Sequence, residues 1–195
     1  MIYDVARTKE FERDEALSSA IETFATFGFE GTSTERLTKS MGIGRQSLYD
    51  TFGDKLHLYK EALQRYCFDS IASIATSLQS HSSPIKAIET TLLDFAERVP
   101  RDESGCLGIA AVCEFGQRDR EIAAIGEAAG ASLQSIFEAA VRKAQTCGEA
   151  STEIHPKEAA LFLNSTLSGL KVAARRGAKR DQLASIARIA VRSLR

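Results

Sequence analysis

The chain has 195 residues, of which 44% are hydrophobic, and its formal net charge is −1 at pH 7. This length and apolar content can bury the core of one large or two small globular domains. A net charge near zero argues against a general polyanion binder, so any affinity for nucleic acid must come from a few locally placed cations.

The sequence lacks the patterns that are typical of several other classes of protein. No apolar stretch reaches the roughly 18 residues that a membrane helix needs, and no signal peptide is recognisable, which predicts a cytoplasmic protein without membrane contact. The four cysteines lack the short paired spacing of a zinc site and suit a reducing compartment. Without a Ser-His-Asp arrangement or a phosphate-cradling glycine loop, we predict no enzyme, no cofactor and no metal.

Apolar residues recur at helical spacing along the chain, and Gly, Pro and Ser separate the periodic stretches. This pattern predicts an all-α fold of about nine helices. A loose polar arm is predicted at residues 1–9, where Arg7 and Lys9 are the groups able to reach DNA, and a charged loop at 101–104. The predicted helices span residues 13–27, 32–41, 45–52, 54–78, 84–99, 105–115, 119–147, 156–176 and 181–194.

The second and third predicted helices are short and are joined by a turn that contains glycine. Thr32 is predicted to cap the second helix, because an acidic residue follows three places later. Gly42 suits the positive φ that ends a helix. Leu48 and Phe52 lie four residues apart and are predicted to face the core. This is a helix-turn-helix pattern, whose second helix can enter a DNA major groove.

The outward side of the third helix carries groups suited to DNA. Arg45 and Gln46 stand at its N-terminal end, which meets base edges in this docking mode, and can pair with guanine and adenine. Ser47 and Tyr49 offer hydroxyls to phosphate oxygens. Lys55 follows a good N-cap residue and lies where the helix dipole disfavours a cation unless a phosphate binds there. The predicted DNA-contact residues are Thr32, Ser33, Thr34, Arg45, Gln46, Ser47, Tyr49, Thr51 and Lys55.

A family resemblance rests on residues Phe24, Gly28, Thr32, Leu37, Gly42, Ile43, Leu48, Tyr49, Phe52, Lys55, Leu56 and Leu63. With the run LYDTFGDK, they resemble the N-terminal domain of the TetR family of bacterial transcriptional repressors. Two residues depart from the family pattern. Gly44 replaces the usual serine cap of the third helix, and Asp50 is acidic where a basic or aromatic residue is frequent. Asp50 would repel phosphates, unless it accepts from a cytosine amino group or points away.

The resemblance implies a DNA-binding domain at residues 1–53 and a ligand-binding and dimerisation domain at 54–195. The implied molecule is a homodimer that pairs through its last two helices. It would place two recognition helices about 34–36 Å apart on a palindromic double-stranded operator. A small effector would release it, with the long fourth helix as the lever.

An effector pocket is implied in the second domain, and its lining predicts a mostly apolar and uncharged ligand. Asn164 is the polar group in this lining, and Phe162 is a further apolar candidate. The predicted ligand-binding residues are Phe68, Phe95, Cys106, Val112, Phe115, Phe137 and Asn164.

Two alternatives remain open at this point. Cys106 lies at a predicted helix start and is either a thiol that senses oxidants or electrophiles or a small buried apolar group. Gly44, Asp50 and the lack of a basic face also allow a helical interaction module without DNA binding.

Overall fold

The computed structural model describes residues 2–98 and 105–195, with side chains from residue 13 onward. These residues form nine α-helices and no strand, which confirms the predicted all-α class. The predicted loop at 101–104 lies outside the described residues. The helices are α1 (Ile2–Phe27), α2 (Thr34–Met41), α3 (Arg45–Phe52), α4 (Lys55–Leu78), α5 (Pro84–Arg98), α6 (Leu107–Glu114), α7 (Arg120–Thr146), α8 (Pro156–Arg175) and α9 (Arg180–Arg192).

Two of these helices differ from the prediction. α1 begins at Ile2, so the loose arm predicted for residues 2–9 is wrong. No glycine or proline interrupts α1, and its backbone hydrogen bonds continue ahead of the apolar stripe. The almost wholly apolar run at residues 105–115 predicts a buried short helix, but only Leu107 and Ala111 of α6 are buried, while Val112 is 67% exposed.

The chain divides into two compact units by its internal contacts. Unit 1 comprises residues 1–67 and 106–126. Its core gathers α1, α2, α3, the first part of α4, α6 and the start of α7 around fully buried side chains. The largest of these are Phe24, Leu37, Leu48, Leu58, Tyr59, Leu63 and Leu107.

Unit 2 comprises residues 68–105 and 127–195. It holds the end of α4, most of α7, and α5, α8 and α9. Its fully buried side chains include Ile88, Leu92, Phe137, Leu163, Leu170 and Leu183. Pro84 opens α5 as predicted, and the Ser83 hydroxyl before it accepts a hydrogen bond from the Lys86 N–H at 3.3 Å.

The compact units do not coincide with the predicted domain boundary after residue 53. Leu58, Tyr59 and Leu63 of α4 share a core with Phe24, and so does Leu107 of α6. The helix-turn-helix is therefore packed on residues that lie far along the chain. The division into a DNA-binding part and a ligand-binding part stays a prediction about function.

Candidate nucleic-acid interface

The start of α2 is capped by Ser33. Its hydroxyl accepts a hydrogen bond from the Arg36 N–H at 3.1 Å. The prediction that Thr32 caps this helix is wrong, because the Thr32 side chain is fully buried. Its hydroxyl donates to the Gly28 carbonyl at 2.5 Å, within the turn that precedes α2. Thr32 is thus not available at the surface, and the prediction that it contacts DNA is wrong for this residue.

The turn between α2 and α3 has the predicted glycine geometry. Gly42 adopts φ 67° and ψ 22°, a left-handed conformation that glycine adopts without strain. The Ile43 N–H bonds the Thr38 carbonyl at 3.2 Å and completes the C-terminal cap of α2. Gly44 is the N-cap of α3 and makes no side-chain bond there. The recognition helix therefore begins without a side-chain cap.

The two faces of α3 divide as the spacing predicts. Leu48 is fully buried and Phe52 is 6% exposed, so these two side chains anchor the helix in the core of unit 1. The remaining side chains of α3 point away from that core. Those on the exposed face are Arg45, Gln46, Ser47, Tyr49, Asp50 and Thr51.

The exposed face of α3 is organised by contacts among its own residues. The Arg45 guanidinium lies 5.8 Å from the centroid of the Tyr49 ring. Hydrogen bonding to Arg45 and then to Thr34 lowers the pKa of Tyr49. Gln46 and Asp50 are hydrogen-bonded to each other. Arg45 and Gln46 therefore each have a side-chain contact on α3 in the absence of DNA.

Only Gly53 and Asp54 separate the end of α3 from Lys55 at the start of α4. Asp54 accepts a hydrogen bond from the His57 N–H at 2.9 Å, and this bond is the main cause of the lowered pKa of Asp54. Lys55 is the first residue of α4, as predicted. Its Nζ lies 4.2 Å from the centroid of the Phe29 ring. This cation–π contact holds the ammonium near the helix N-terminus and was not foreseen from the sequence.

The predicted ligand-binding residues fall in both compact units. Cys106, Val112 and Phe115 belong to unit 1, where Phe115 packs 5.2 Å from Phe29 and 5.3 Å from Tyr59, centroid to centroid. The other four belong to unit 2. Phe95 and Phe137 are buried there, Phe68 is exposed, and the Asn164 amide donates to the Gly130 carbonyl at 3.4 Å.

Unit 2 also contains an open cleft of about 530 Å³ that involves none of these residues. It is lined by hydroxyls from the end of α4 and by charged groups from α5. Phe162, the further apolar candidate, is 45% exposed on α8. The lining residues of the cleft are Ser73, Thr76, Ser77, Ser80, Asp94, Glu97 and Arg98.

Cys106 is the N-cap of α6, as its position suggested. Its sulfur accepts hydrogen bonds from the Tyr66 hydroxyl at 3.2 Å and from the Ile109 N–H at 3.4 Å. All four cysteines are free thiols, and Cys106 is partly buried. The sulfur therefore already has two donors aimed at it.

The described residues contain neither a metal-binding cluster nor a membrane-spanning helix. No group of three or more His, Cys, Asp and Glu side chains there is placed to hold a metal ion. In the same part of the chain, no helix is both long and apolar enough to cross a bilayer.

Sequence comparison gives two family matches that together extend over most of the chain. Residues 16–62 match the family model for bacterial regulatory proteins of the tetR family. Residues 84–190 match the model for the tetracyclin repressor-like C-terminal domain.

Individual relatives match nearly end to end. The uncharacterized HTH-type transcriptional regulator YezE of Bacillus subtilis is 32% identical, over 92% of this chain and 94% of its own length. The HTH-type transcriptional repressor ComR of Escherichia coli is 27% identical, over 93% of this chain and 88% of its own.

Among solved structures, a cysteine mutant of the TetR family regulator CifR, complexed with 26-base-pair operator DNA, has a TM-score of 0.83 and 28% identity. The alignment covers 94% of this chain and 97% of that one. The family consists of transcriptional regulators, so the chain is a regulator and not an enzyme. The chain belongs to the TetR family of bacterial transcriptional regulators.

Proposed function

We propose that the chain is a ligand-responsive repressor that binds a palindromic operator as a homodimer. The observation that carries this proposal is the polar face of α3, where Arg45, Gln46, Ser47 and Tyr49 are exposed above the buried anchor Leu48. The repressor role is supported by relatives that bear that name, ComR and BdcR of Escherichia coli. DNA binding is supported by the operator complexes of CifR.

Binding to the DNA upstream of the protein's own gene tests the proposal by gel shift. We expect the wild type to retard this duplex and Arg45→Ala to lose discrimination between it and a scrambled duplex, since arginine reads guanine edges. Arg120→Ala, at an exposed arginine of α7, is the matched control. No shift with any upstream duplex would favour the alternative of an interaction module without DNA binding.

The dimer is supported by exposed apolar side chains on the last two helices. Leu161 and Phe162 of α8 are 56% and 45% exposed, and Ile186 and Ile189 of α9 are 40% and 60% exposed. Large apolar groups clustered at a surface mark interaction sites. We expect light scattering to give a dimer for the wild type and a monomer for Ile189→Asp. Ser135→Asp, an exposed change on α7, should remain dimeric.

The proposed effector is mostly apolar and uncharged, in keeping with the phenylalanines among the candidate residues. Phe68 of unit 2 is an apolar side chain with 69% of its surface exposed, which leaves it accessible to a ligand. An effector that binds the folded protein raises its melting temperature. We expect apolar compounds to raise the melting temperature of the wild type and to raise that of Phe68→Ala by less.

A second candidate trigger is oxidation of Cys106, favoured by the two donors to its sulfur. Peroxide oxidises a free cysteine thiol to a sulfenic acid, and Cys106 is a free thiol. We expect hydrogen peroxide to release DNA from the wild type and from Cys147→Ser, but not from Cys106→Ser. Equal release from all three proteins ends the sensor hypothesis.

A further inference from the structure

The turn between α1 and α2 is held by a carboxylate from α6. The Phe29 N–H donates to Glu114 Oε1 at 3.1 Å and to Oε2 at 2.9 Å. The Glu30 N–H donates to Oε2 at 3.0 Å. Two successive N–H groups that converge in this way form an anion-binding nest. In this protein the anion is the chain's own side chain, 85 residues further on.

The turn is shaped around that carboxylate. Gly28 has φ +72°, and a Cβ at this position would overlap Glu114 Oε1. Only glycine therefore satisfies both the backbone conformation and the close approach. Glu114 is the last residue of α6, and its backbone carbonyl accepts a further bond from the Arg118 guanidinium at 2.6 Å.

The same turn decides where α2 begins. The Thr32 hydroxyl and the Thr32 N–H donate to the carbonyls of Gly28 and Phe29, at 2.5 Å and 3.2 Å. Ser33, the next residue, is the N-cap of α2. α2 leads through one glycine turn into α3. The position of the recognition helix thus depends on a segment whose outer N–H groups are held by Glu114.

The surroundings make the contact strong and specific. Phe29, Tyr59 and Phe115 pack against one another beside it, with ring centroids 5.2–5.3 Å apart. Hydrogen bonds to an ionised group are stronger than neutral ones, and more so where water is displaced. Among the described side chains, no cation pairs with the Glu114 carboxylate, so its hydrogen-bond donors are the backbone N–H groups of Phe29 and Glu30.

We propose that Glu114 is a positioning residue for DNA recognition, which holds the α1–α2 turn so that α2 and α3 present the recognition face in its binding geometry. The inference rests on the proposed function and adds a residue outside the helix-turn-helix to it. Glu114 touches no DNA in this role and acts through Phe29 and Glu30.

The test compares Glu114→Gln with the wild type and with Glu121→Gln, a matched change at an exposed carboxyl in the same unit. Glutamine keeps the volume but sets an NH₂ group against one of the two N–H donors. The binding probe is the tightest duplex that the wild type selects from a randomised library, beside a random duplex. Amide hydrogen exchange at Phe29 and Glu30 reports on the turn, and circular dichroism reports on global folding.

We expect Glu114→Gln to remain folded, to exchange faster at Phe29 and Glu30, and to bind the selected duplex roughly tenfold more weakly, the scale of a lost charged hydrogen bond. Binding to the random duplex should be unchanged, and Glu121→Gln should match the wild type. Faster exchange with undiminished binding to the selected duplex overturns the inference.

Failure of the proposed function gives a different result. The wild type would then select no duplex at all, and amide exchange would decide the inference alone. Unchanged protection at Phe29 and Glu30 in Glu114→Gln would show that the carboxylate does not hold the turn.

Discussion

The Gln46 side-chain amide donates a hydrogen bond to the Asp50 carboxylate at 2.8 Å, one turn along the exposed face of α3. A glutamine that reads adenine directs its amide oxygen and one amide N–H at the base edge. Asp50 therefore competes with the base for Gln46 and also adds a negative charge to a face that meets phosphates. The hydrogen bond to Gln46 nevertheless gives this acidic side chain a partner on the exposed face of α3.

The first prediction is that Asp50→Ala tightens binding to operator DNA. Loss of the carboxylate frees Gln46 and removes repulsion, and we expect the affinity to rise by about threefold to tenfold at low salt, with a smaller gain at high salt. Fluorescence anisotropy measures this, with Glu153→Ala as the control. Weaker binding confined to sites with one particular cytosine would instead mean that Asp50 reads its amino group.

The second prediction concerns the charge of Lys55. Lys55→Met keeps an apolar chain against the Phe29 ring but removes the ammonium that lies 4.2 Å from its centroid. We expect weaker binding to all duplexes alike and a salt slope reduced by about one, since one phosphate contact is lost. The same change at the exposed Lys143 is the control. A loss limited to certain sequences would argue against a phosphate contact.

The third prediction is an energetic coupling between Gly28 and Glu114. Gly28→Ala imposes a left-handed conformation on alanine, at a cost of about 1–2 kcal/mol, and also displaces the carboxylate. In a Glu114→Ala background only the backbone cost remains, so Gly28→Ala should destabilise less there. Urea unfolding of the four proteins measures the difference.

Gly42 supplies the control for this cycle. It has φ +67°, but an added Cβ would meet nothing within 4 Å. Gly42→Ala should therefore cost the same with and without Glu114. Additive effects at Gly28 as well would mean that the two residues are not coupled.

The fourth prediction is that Tyr59→Phe stabilises the protein. Tyr59 is fully buried, and its hydroxyl has no hydrogen-bond partner among the described residues. Burial, and secondly the charge of Glu114, raise the pKa of Tyr59, so the group stays neutral. An unsatisfied buried hydroxyl costs on the order of 1 kcal/mol, which phenylalanine avoids. Urea unfolding should show the gain, and Tyr49→Phe at the surface should show none.

The fifth prediction concerns acid unfolding and Asp119. Its Oδ1 accepts hydrogen bonds from the N–H groups of Ile122 and Glu121, both at 3.0 Å. The bond from Ile122 is the largest cause of its lowered pKa, and the nearby Lys60 adds to it. A lowered folded-state pKa contributes stability above the unfolded pKa, and this contribution disappears as pH falls through the folded value.

Asp119→Asn should accordingly be less stable than the wild type near neutral pH, and the difference should shrink as the solution is acidified. Unfolding free energies measured across the acid range test this, with Asp181→Asn at an exposed carboxyl as the control. A difference that is independent of pH would mean that hydrogen bonding, and not charge, is responsible.

The local features of the helix-turn-helix could be predicted from the sequence because short-range rules determine them. Gly42 ends α2 and Leu48 faces inward, and both follow from spacing along a few residues. The choice between Thr32 and Ser33 as the cap could not be predicted. Both side chains can cap, and burial of Thr32 against the Gly28 carbonyl decides between them.

The contacts between segments that lie far apart in the chain could not be predicted from the sequence. Nothing in the spacing of Glu114 connects it with Phe29, because 85 residues separate them. The contact of Lys55 with the Phe29 ring likewise depends on how α4 packs after the turn. The early start of α1 was missed because residues 2–9 mix apolar, polar and charged side chains, and the lack of a glycine or proline there was not weighed.

The core of unit 1 closes only with Leu107, Ala111 and Ile122, which are translated well after α3. A nascent chain must extend past Ile122 before its first three helices can complete their packing and before Glu114 can reach the α1–α2 turn. In ribosome-bound chains that end before Ile122, the helix-turn-helix would be incompletely packed. A fragment cut after residue 53 would be in the same condition and would make a poor module for transplantation into a fusion protein.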